Sequence, residues 1–250
     1  MNYNIIKTGS AGNAVTIDDR VLVDCGVPYK TLGNAVRRIS LVLLTHIHND
    51  HFRAATLKRL AKERPMLRFG CCEWLVKPLL DAGVPAKRID VYQPGMEYRY
   101  GNMTISPVLL KHNVPQCGYK VITDNGKALY CTDTNSLDGI DAKDFDLYLL
   151  EANYTDDGIE ERIREKEESG EYAYEYEVMQ NHLSKEKCDN FLVSNAGAHS
   201  EFIYLHEHEE RRVKCKDEST NISTSLPPKE NESNDLLLSS MKTSEEDTTS

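Results

Sequence analysis

An α/β fold is what this sequence predicts, and three observations carry the prediction. The first third alternates strand and helix patterns, and the middle third is a succession of strands. Several strands stay apolar to their last residues and then end in histidine, aspartate or glutamate. The clearest case is Leu41-Val-Leu-Leu-Thr-His-Ile-His-Asn-Asp-His51, where an apolar run stops in three histidines and an aspartate. The chain of 250 residues, 40% hydrophobic and 28% charged, is long enough for one large domain with its own core, or two small ones.

Taken in order, residues 3–7 read as a strand, and Thr8-Gly-Ser-Ala-Gly-Asn13 as a turn of small residues. Residues 14–17 and 21–24 form a hairpin around Asp18-Asp19-Arg20. A helix is expected over 30–38, then the strand from Leu41 that runs into the histidine loop. Helical spacing returns over 54–63 and stops at Pro65; a short strand over 67–70 precedes a helix over 73–82 closed by Gly83. Strands follow over 88–92, 97–100 and 103–110, the last running into Lys111-His112. Residues 118–123 and 128–131 flank Asp124-Asn-Gly126, a hairpin signal because Asn-Gly tolerates positive φ. The second of these ends in Thr132-Asp133-Thr134, and the strand over 146–150 ends in Glu151. A charged helix is expected over 156–169 and an irregular tyrosine-rich stretch over 170–181. Ser184 reads as the N-cap of a helix over 185–196, and a last strand over 201–205 ends in His206-Glu-His208.

From about Arg211 the composition turns to Ser, Thr, Glu, Lys and Asn. Such a segment buries too little surface to offset its chain entropy. The expected organisation is one domain over 1–210 and a disordered acidic tail over 211–250. The segment from Lys216 onward has three lysines against eight acids, which accounts for half of the net charge of −10. A mildly acidic body argues against a long polyanion as an ordinary electrostatic partner, though not against a small anionic substrate. No apolar run approaches the ~18 residues of a membrane span, and the N-terminus lacks the pattern of a signal peptide. Seven cysteines with no framework spacing read as reduced thiols, so the expected location is cytoplasmic.

The pattern His46-x-His48-x-Asp50-His51 places three of only eight histidines within six residues. Imidazole and carboxylate suit zinc and related divalent ions, and a loop fixed by a buried strand can present them together. The pattern resembles that of the metallo-β-lactamase superfamily, over roughly residues 3–208. The resemblance implies a four-layered αββα sandwich and a site for two divalent metal ions, Zn2+ first, with Mn2+ or Fe2+ as alternatives. It implies that His46, His48 and His112 hold one metal, that Asp50, His51 and a last histidine hold the other, and that Asp133 bridges them. His206, at a strand end, fits the last position better than its competitor His208; His199 looks incidental.

Within the superfamily, a glutamate at the position of His48 marks flavo-diiron oxidoreductases, and class B β-lactamases lack the pairing of His51 with a bridging aspartate. The donor set here is that of ribonuclease Z-like phosphodiesterases, and also of glyoxalase II and lactonases. Leu149-Leu-Glu-Ala-Asn153 and Asn181-His-Leu-Ser184 resemble the Glu-Ala and His-Ser-Thr elements of the ribonuclease Z-like branch. That resemblance gives Glu151 and His182 the role of a proton shuttle to the leaving group, and Asp50 that of orienting the attacking water. Thr8–Asn13 resembles the Gly-Ser-x-Gly-Asn opening of small bacterial and phage-encoded members. The implied partner is a nucleotide, such as a cyclic nucleotide, or a short nucleic acid end; the acidic stretch 156–180 does not suit a grip on tRNA. A thioester or lactone hydrolase, and a metal-stabilised scaffold without activity, are the alternatives. Relatives often form homodimers.

Overall fold

The computed structural model describes residues 1–206. The expected tail, the last residues of the 1–210 domain and His208 lie outside the described residues.

Two six-stranded sheets stack face to face. The first contains Tyr3–Lys7 (β1), Ala14–Ile17 (β2), Val21–Val23 (β3), Leu41–Leu44 (β4), Arg68–Cys72 (β5) and Ile89–Tyr92 (β6), in that spatial order. The second contains Tyr98–Tyr100 (β7), Met103–Leu110 (β8), Gln116–Thr123 (β9), Gly126–Cys131 (β10), Leu147–Glu151 (β11) and Glu201–Leu205 (β12), also in sequence order across the sheet. The α-helices are Ala35–Arg38 (α1), Ala54–Glu63 (α2), Val76–Asp81 (α3), Asp156–Ser169 (α4), Glu175–Asn181 (α5) and Lys185–Asn195 (α6). Strands β3 to β6 run parallel, as do β10, β11 and β12.

Side chains alternate across each strand, and in the central strands both faces are buried. Leu41 and Leu43 of β4 enter the core between the sheets, whereas Val42 and Leu44 pack with Leu57 and Leu60 of α2 and Leu79 of α3. The second sheet mirrors this. Tyr130 of β10 and Leu149 of β11 face the inter-sheet core, while Leu129 and Leu150 meet Cys188 and Leu192 of α6. The result is the expected four-layered αββα sandwich, and it explains why these strands read as continuous apolar runs rather than alternating ones. The six cysteines among the described residues are buried and free. No helix among the described residues is long and apolar enough to cross a membrane.

Four local expectations differ from the structure. The helix expected over 30–38 is a 3₁₀ turn, Tyr29–Leu32, followed by the single turn α1, because Gly33 between them takes a left-handed φ of 53°. The helix over 73–82 begins as a 3₁₀ turn, Glu73–Leu75. In the 124–126 hairpin, Asp124 and Asn125 form the turn without positive φ; only Gly126, paired with Thr123, has one, at 131°. The tyrosine-rich stretch is not irregular throughout, since it contains α5. Its tyrosines are held to neighbouring charges: the Tyr172 hydroxyl donates to Glu177 and that of Tyr176 to Glu167, and the Lys166 ammonium lies 3.7 Å from the centre of the Tyr174 ring.

Parallel strands end together. The C-terminal ends of β3, β4, β10, β11 and β12, with β8 running in the same sense as β10, gather at one edge of the sandwich. The histidine loop after β4 is pressed against the segment after β3. The Cys25 amide donates to the His51 carbonyl and the Arg53 amide to the Cys25 carbonyl. A Cβ on Gly26 would stand 1.7 Å from the Asp50 carbonyl oxygen, a clash with backbone that no rotamer relieves. Gly26→Ala is therefore expected to cost roughly 3 kcal/mol, a fall in Tm of roughly 6–12 °C in thermal unfolding, with loss of metal binding.

Candidate metal centre

Each strand end delivers its side chain through a short loop. Three of the residues that do so, Asp24, Asp133 and His206, hold left-handed φ values of 60°, 54° and 56°. That conformation is costly for residues other than glycine, and it recurs where a site over-determines the backbone.

His46, His48 and His112 come together first. His46 Nε2 lies 3.1 Å from His48 Nδ1, and His112 Nε2 lies 3.4 Å from the same atom. The outer nitrogens are engaged. The Thr45 hydroxyl donates to Asp24, so it accepts from His46 Nδ1 at 2.9 Å. The Asn181 carbonyl accepts from His112 Nδ1 at 3.1 Å. Hence the inner nitrogens of His46 and His112 carry lone pairs, and both face His48. Burial lowers the pKa of His46 to about 2 and that of His112 to about 4, which keeps both rings neutral.

The second group surrounds Asp50. Asp50 Oδ2 is 3.5 Å from His51 Nε2 and 3.8 Å from His206 Nε2. Asp133 stands between the groups: its Oδ2 is 2.9 Å from His51 Nε2, its Oδ1 is 3.6 Å from His206 Nε2, and its carboxylate also groups with His46. Burial alone lowers His51 and His206, but the carboxylates outweigh it: Asp133 and Asp24 raise His51, and Asp133 and Asp50 raise His206 to about 9. Asp133 Oδ2 and His206 Nε2 are buried, and what they face are other members of the cluster, His51 Nε2 at 2.9 Å and Asp50 Oδ2 at 3.8 Å. Buried carboxylate oxygens and imidazole nitrogens that converge within 4.8 Å of one another fit a cation. The residues present thus fit divalent metal, with His46, His48 and His112 forming one group of donors and Asp50, His51 and His206 another.

Glu151 and His182 flank the second group. Glu151 Oε1 lies 2.6 Å from His182 Nδ1, and its Oε2 accepts from the Thr134 amide at 3.0 Å. The His182 ring stacks on that of His206, with centroids 5.2 Å apart and planes at 14°. Burial lowers His182, but the charge and hydrogen bond of Glu151 outweigh it and raise its pKa. Glu151 is wholly buried, whereas the His182 side chain is 20% exposed and open to a bound molecule.

All the sequence-derived candidates therefore meet in one place. Asp24, Asn13 and Asn153 complete the surroundings and were not among them. The buried Asp24 carboxylate takes hydrogen bonds from the Thr45 amide and hydroxyl, from His51 Nδ1 at 2.7 Å and from the Tyr130 hydroxyl at 3.2 Å. The Asn13 carboxamide nitrogen lies 2.8 Å from His51 Nε2 and 3.4 Å from Asp50 Oδ2. The Asn153 carboxamide donates to the His206 carbonyl at 2.9 Å. Asp24 carried a usable signal, because it too follows an apolar strand. Asn13 and Asn153 are pinned by contacts 37 to 53 residues away, which local pattern does not encode.

Substitution of Asp24 by Asn leaves shape and volume almost unchanged but removes the charge that fixes His51. Metal affinity, measured by chelator competition, is expected to fall about 10–100-fold.

A sequence description of the beta-lactamase superfamily domain matches residues 19–172, more than half of the chain; His182 and His206 lie beyond the match. No curated protein matches the sequence. Among solved structures, the metallo-beta-lactamase fold protein YhfI from Bacillus subtilis is 16% identical, with a TM-score of 0.63 over 87% of this chain and 91% of that one. Human tRNase Z, short form, is 15% identical, with a TM-score of 0.60 over 85% and 94%. A diphosphatase from the PhnP family is 15% identical, with a TM-score of 0.55 over 85% and 90%. At such identities the structures speak to the fold, and the matched domain speaks to descent. Two stacked sheets, donors gathered at their common edge and a family match across most of the sandwich together make this chain a member of the metallo-β-lactamase superfamily.

Proposed function

We propose that the protein is a metal-dependent phosphodiesterase whose substrate is a nucleotide or a short nucleic acid. The observation that carries this reading is the Glu151–His182 pair, held at 2.6 Å beside the metal donors. Cleaving a phosphodiester releases an alkoxide, a poor leaving group that needs a proton as the bond breaks. Esters of acidic leaving groups need none. A carboxylate that keeps an imidazole protonated near a metal pair suits the first reaction.

Divalent ions at such a site supply Lewis acidity: they make water nucleophilic near neutral pH and offset charge on phosphoryl oxygens. Zinc is our first assignment on donor chemistry, since imidazole and carboxylate dominate the set. The chain's own residues do the rest. Asp24 holds the His51 ring in place through Nδ1, and Asn181 does the same for His112. Asp50, lowered from the ordinary carboxylate range, stays ionised; burial opposes this, and hydrogen bonding to His206 and His51 outweighs it. An ionised Asp50 can accept a hydrogen bond from the attacking water and orient it. His182, its Nδ1 bound to Glu151, donates from the other ring nitrogen to the departing oxygen. The names of two similar folds, tRNase Z and a diphosphatase, are in keeping with chemistry at a phosphate.

The test separates proton donation from metal holding. His182→Ala is expected to lower kcat on an alkyl phosphodiester about 10²–10⁴-fold while metal content, read by elemental analysis, stays as in the parent. Loss of metal and activity together would make His182 a ligand and overturn its role.

The pH profile gives a second check. The acid form of His182 is the working form, so activity falls as pH rises through its raised pKa. Glu151→Gln removes the charge that raises it, and the alkaline limb is expected to move to lower pH.

A further inference from the structure

A cavity of about 690 Å³ opens between the loop over 135–140 and α6, and nothing in the proposed reaction uses it. Its walls adjoin site segments in sequence. Asn135 lies two residues after Asp133, at most about 7 Å of extended chain. Met179 lies three residues before His182 on α5. The two walls are stitched together: the Asn135 side chain donates to the Gln180 carbonyl at 2.6 Å, and the Lys187 ammonium donates to the Asn135 carbonyl at 3.4 Å.

The lining is mixed. Phe191 is half-buried, backed by Tyr148 with ring centroids 6.4 Å apart, and it lines the cavity together with the thioether of Met179. Asn190 offers a carboxamide that makes no hydrogen bond among the described residues. Among the described residues, Lys187 is the only cation of the lining and Asp138 the only acid. An aromatic face, an unpaired carboxamide and a single ammonium group are what a nucleobase needs for stacking and for hydrogen bonding at its edge. A cavity of this volume lies in the range of small-molecule sites, roughly 300–1,000 Å³.

We propose that this cavity is the base subsite, receiving the nucleobase of a nucleotide whose phosphate lies at the metal donors, with Phe191 as the stacking surface and Lys187 and Asn190 reading the edge. The assignment rests on the phosphodiesterase reading for the position of the phosphate. It makes the cavity a specificity element: a phosphodiester without a base reaches the metal donors but gains nothing from the cavity.

The experiment is equilibrium titration of the metal-loaded full chain with adenosine 5′-monophosphate and, separately, with inorganic phosphate. Parent protein is expected to bind the nucleotide more tightly than phosphate. Phe191→Ala is expected to weaken nucleotide binding about tenfold and leave phosphate binding as it was. Ser194→Trp, which fills the cavity from an exposed position on α6, is expected to do the same, so the proposal does not depend on one variant folding. Equal affinity of the parent for nucleotide and phosphate, or nucleotide binding indifferent to both substitutions in folded protein, would overturn it. A parent protein that hydrolyses bis-p-nitrophenyl phosphate but fails this titration refutes the subsite alone. One that binds the nucleotide as described but hydrolyses no phosphodiester refutes the reaction alone.

Discussion

The buried carboxylate of Asp24 is the contact on which the rest of the site depends. It sits at the end of β3 with no solvent exposure, and a charge there is tolerable only if fully hydrogen-bonded. Its partners come from three directions: Thr45 at the end of β4, His51 in the metal loop and Tyr130 from the other sheet. One side chain thus pins the histidine loop to its own sheet and both to the sheet opposite. The Tyr119 hydroxyl, donating to the Leu44 carbonyl at 2.6 Å, adds a second tie between the sheets at the same level. The loop that carries His46, His48, Asp50 and His51 is held by the core.

That arrangement separates two kinds of histidine. His46 and His112 are neutral because burial disfavours their charge, and their outer nitrogens donate to a hydroxyl and a carbonyl. His51, His206 and His182 stand among carboxylates that outweigh burial and raise them. Neutral imidazoles suit a cation directly. Around His51 and His206 the carboxylates favour a proton on the ring. His182 differs from both, since its Nδ1 partner is the buried Glu151, itself fixed by the Thr134 amide. The dyad is built from the end of β11 and the segment before α6, and it touches the donors, with the His182 ring stacked on His206 and Glu151 Oε1 3.5 Å from His206 Nδ1.

Much of this was legible in the sequence because strand ends are local. An apolar run that stops in His46, His112, Asp133, Glu151 or His206 announces both a buried strand and a donor at its end, and parallel pairing brings such ends to one edge. What was not legible depended on distance or on backbone conformation. Gly33 breaks a helical pattern by adopting a left-handed φ. The tyrosine-rich stretch reads as irregular, yet two hydroxyl–carboxylate pairs and a cation over an aromatic ring hold Tyr172, Tyr174 and Tyr176 to α4 and α5. Asn13 and Asn153 become site residues only through partners far along the chain. The cavity beside α6 could not be read at all, since it is a space between two segments joined by Asn135 and Lys187.

The central claim is that this centre cleaves a phosphodiester rather than a thioester or lactone. The most direct measurement is turnover by the metal-loaded protein, with Zn2+ and then Mn2+, across a panel of bis-p-nitrophenyl phosphate, cyclic nucleotides, short oligonucleotides, thioesters and lactones. The account predicts hydrolysis of the phosphodiesters, with the nucleotides preferred over the simple aryl ester. Turnover confined to thioesters or lactones, or none at full metal occupancy, would contradict it.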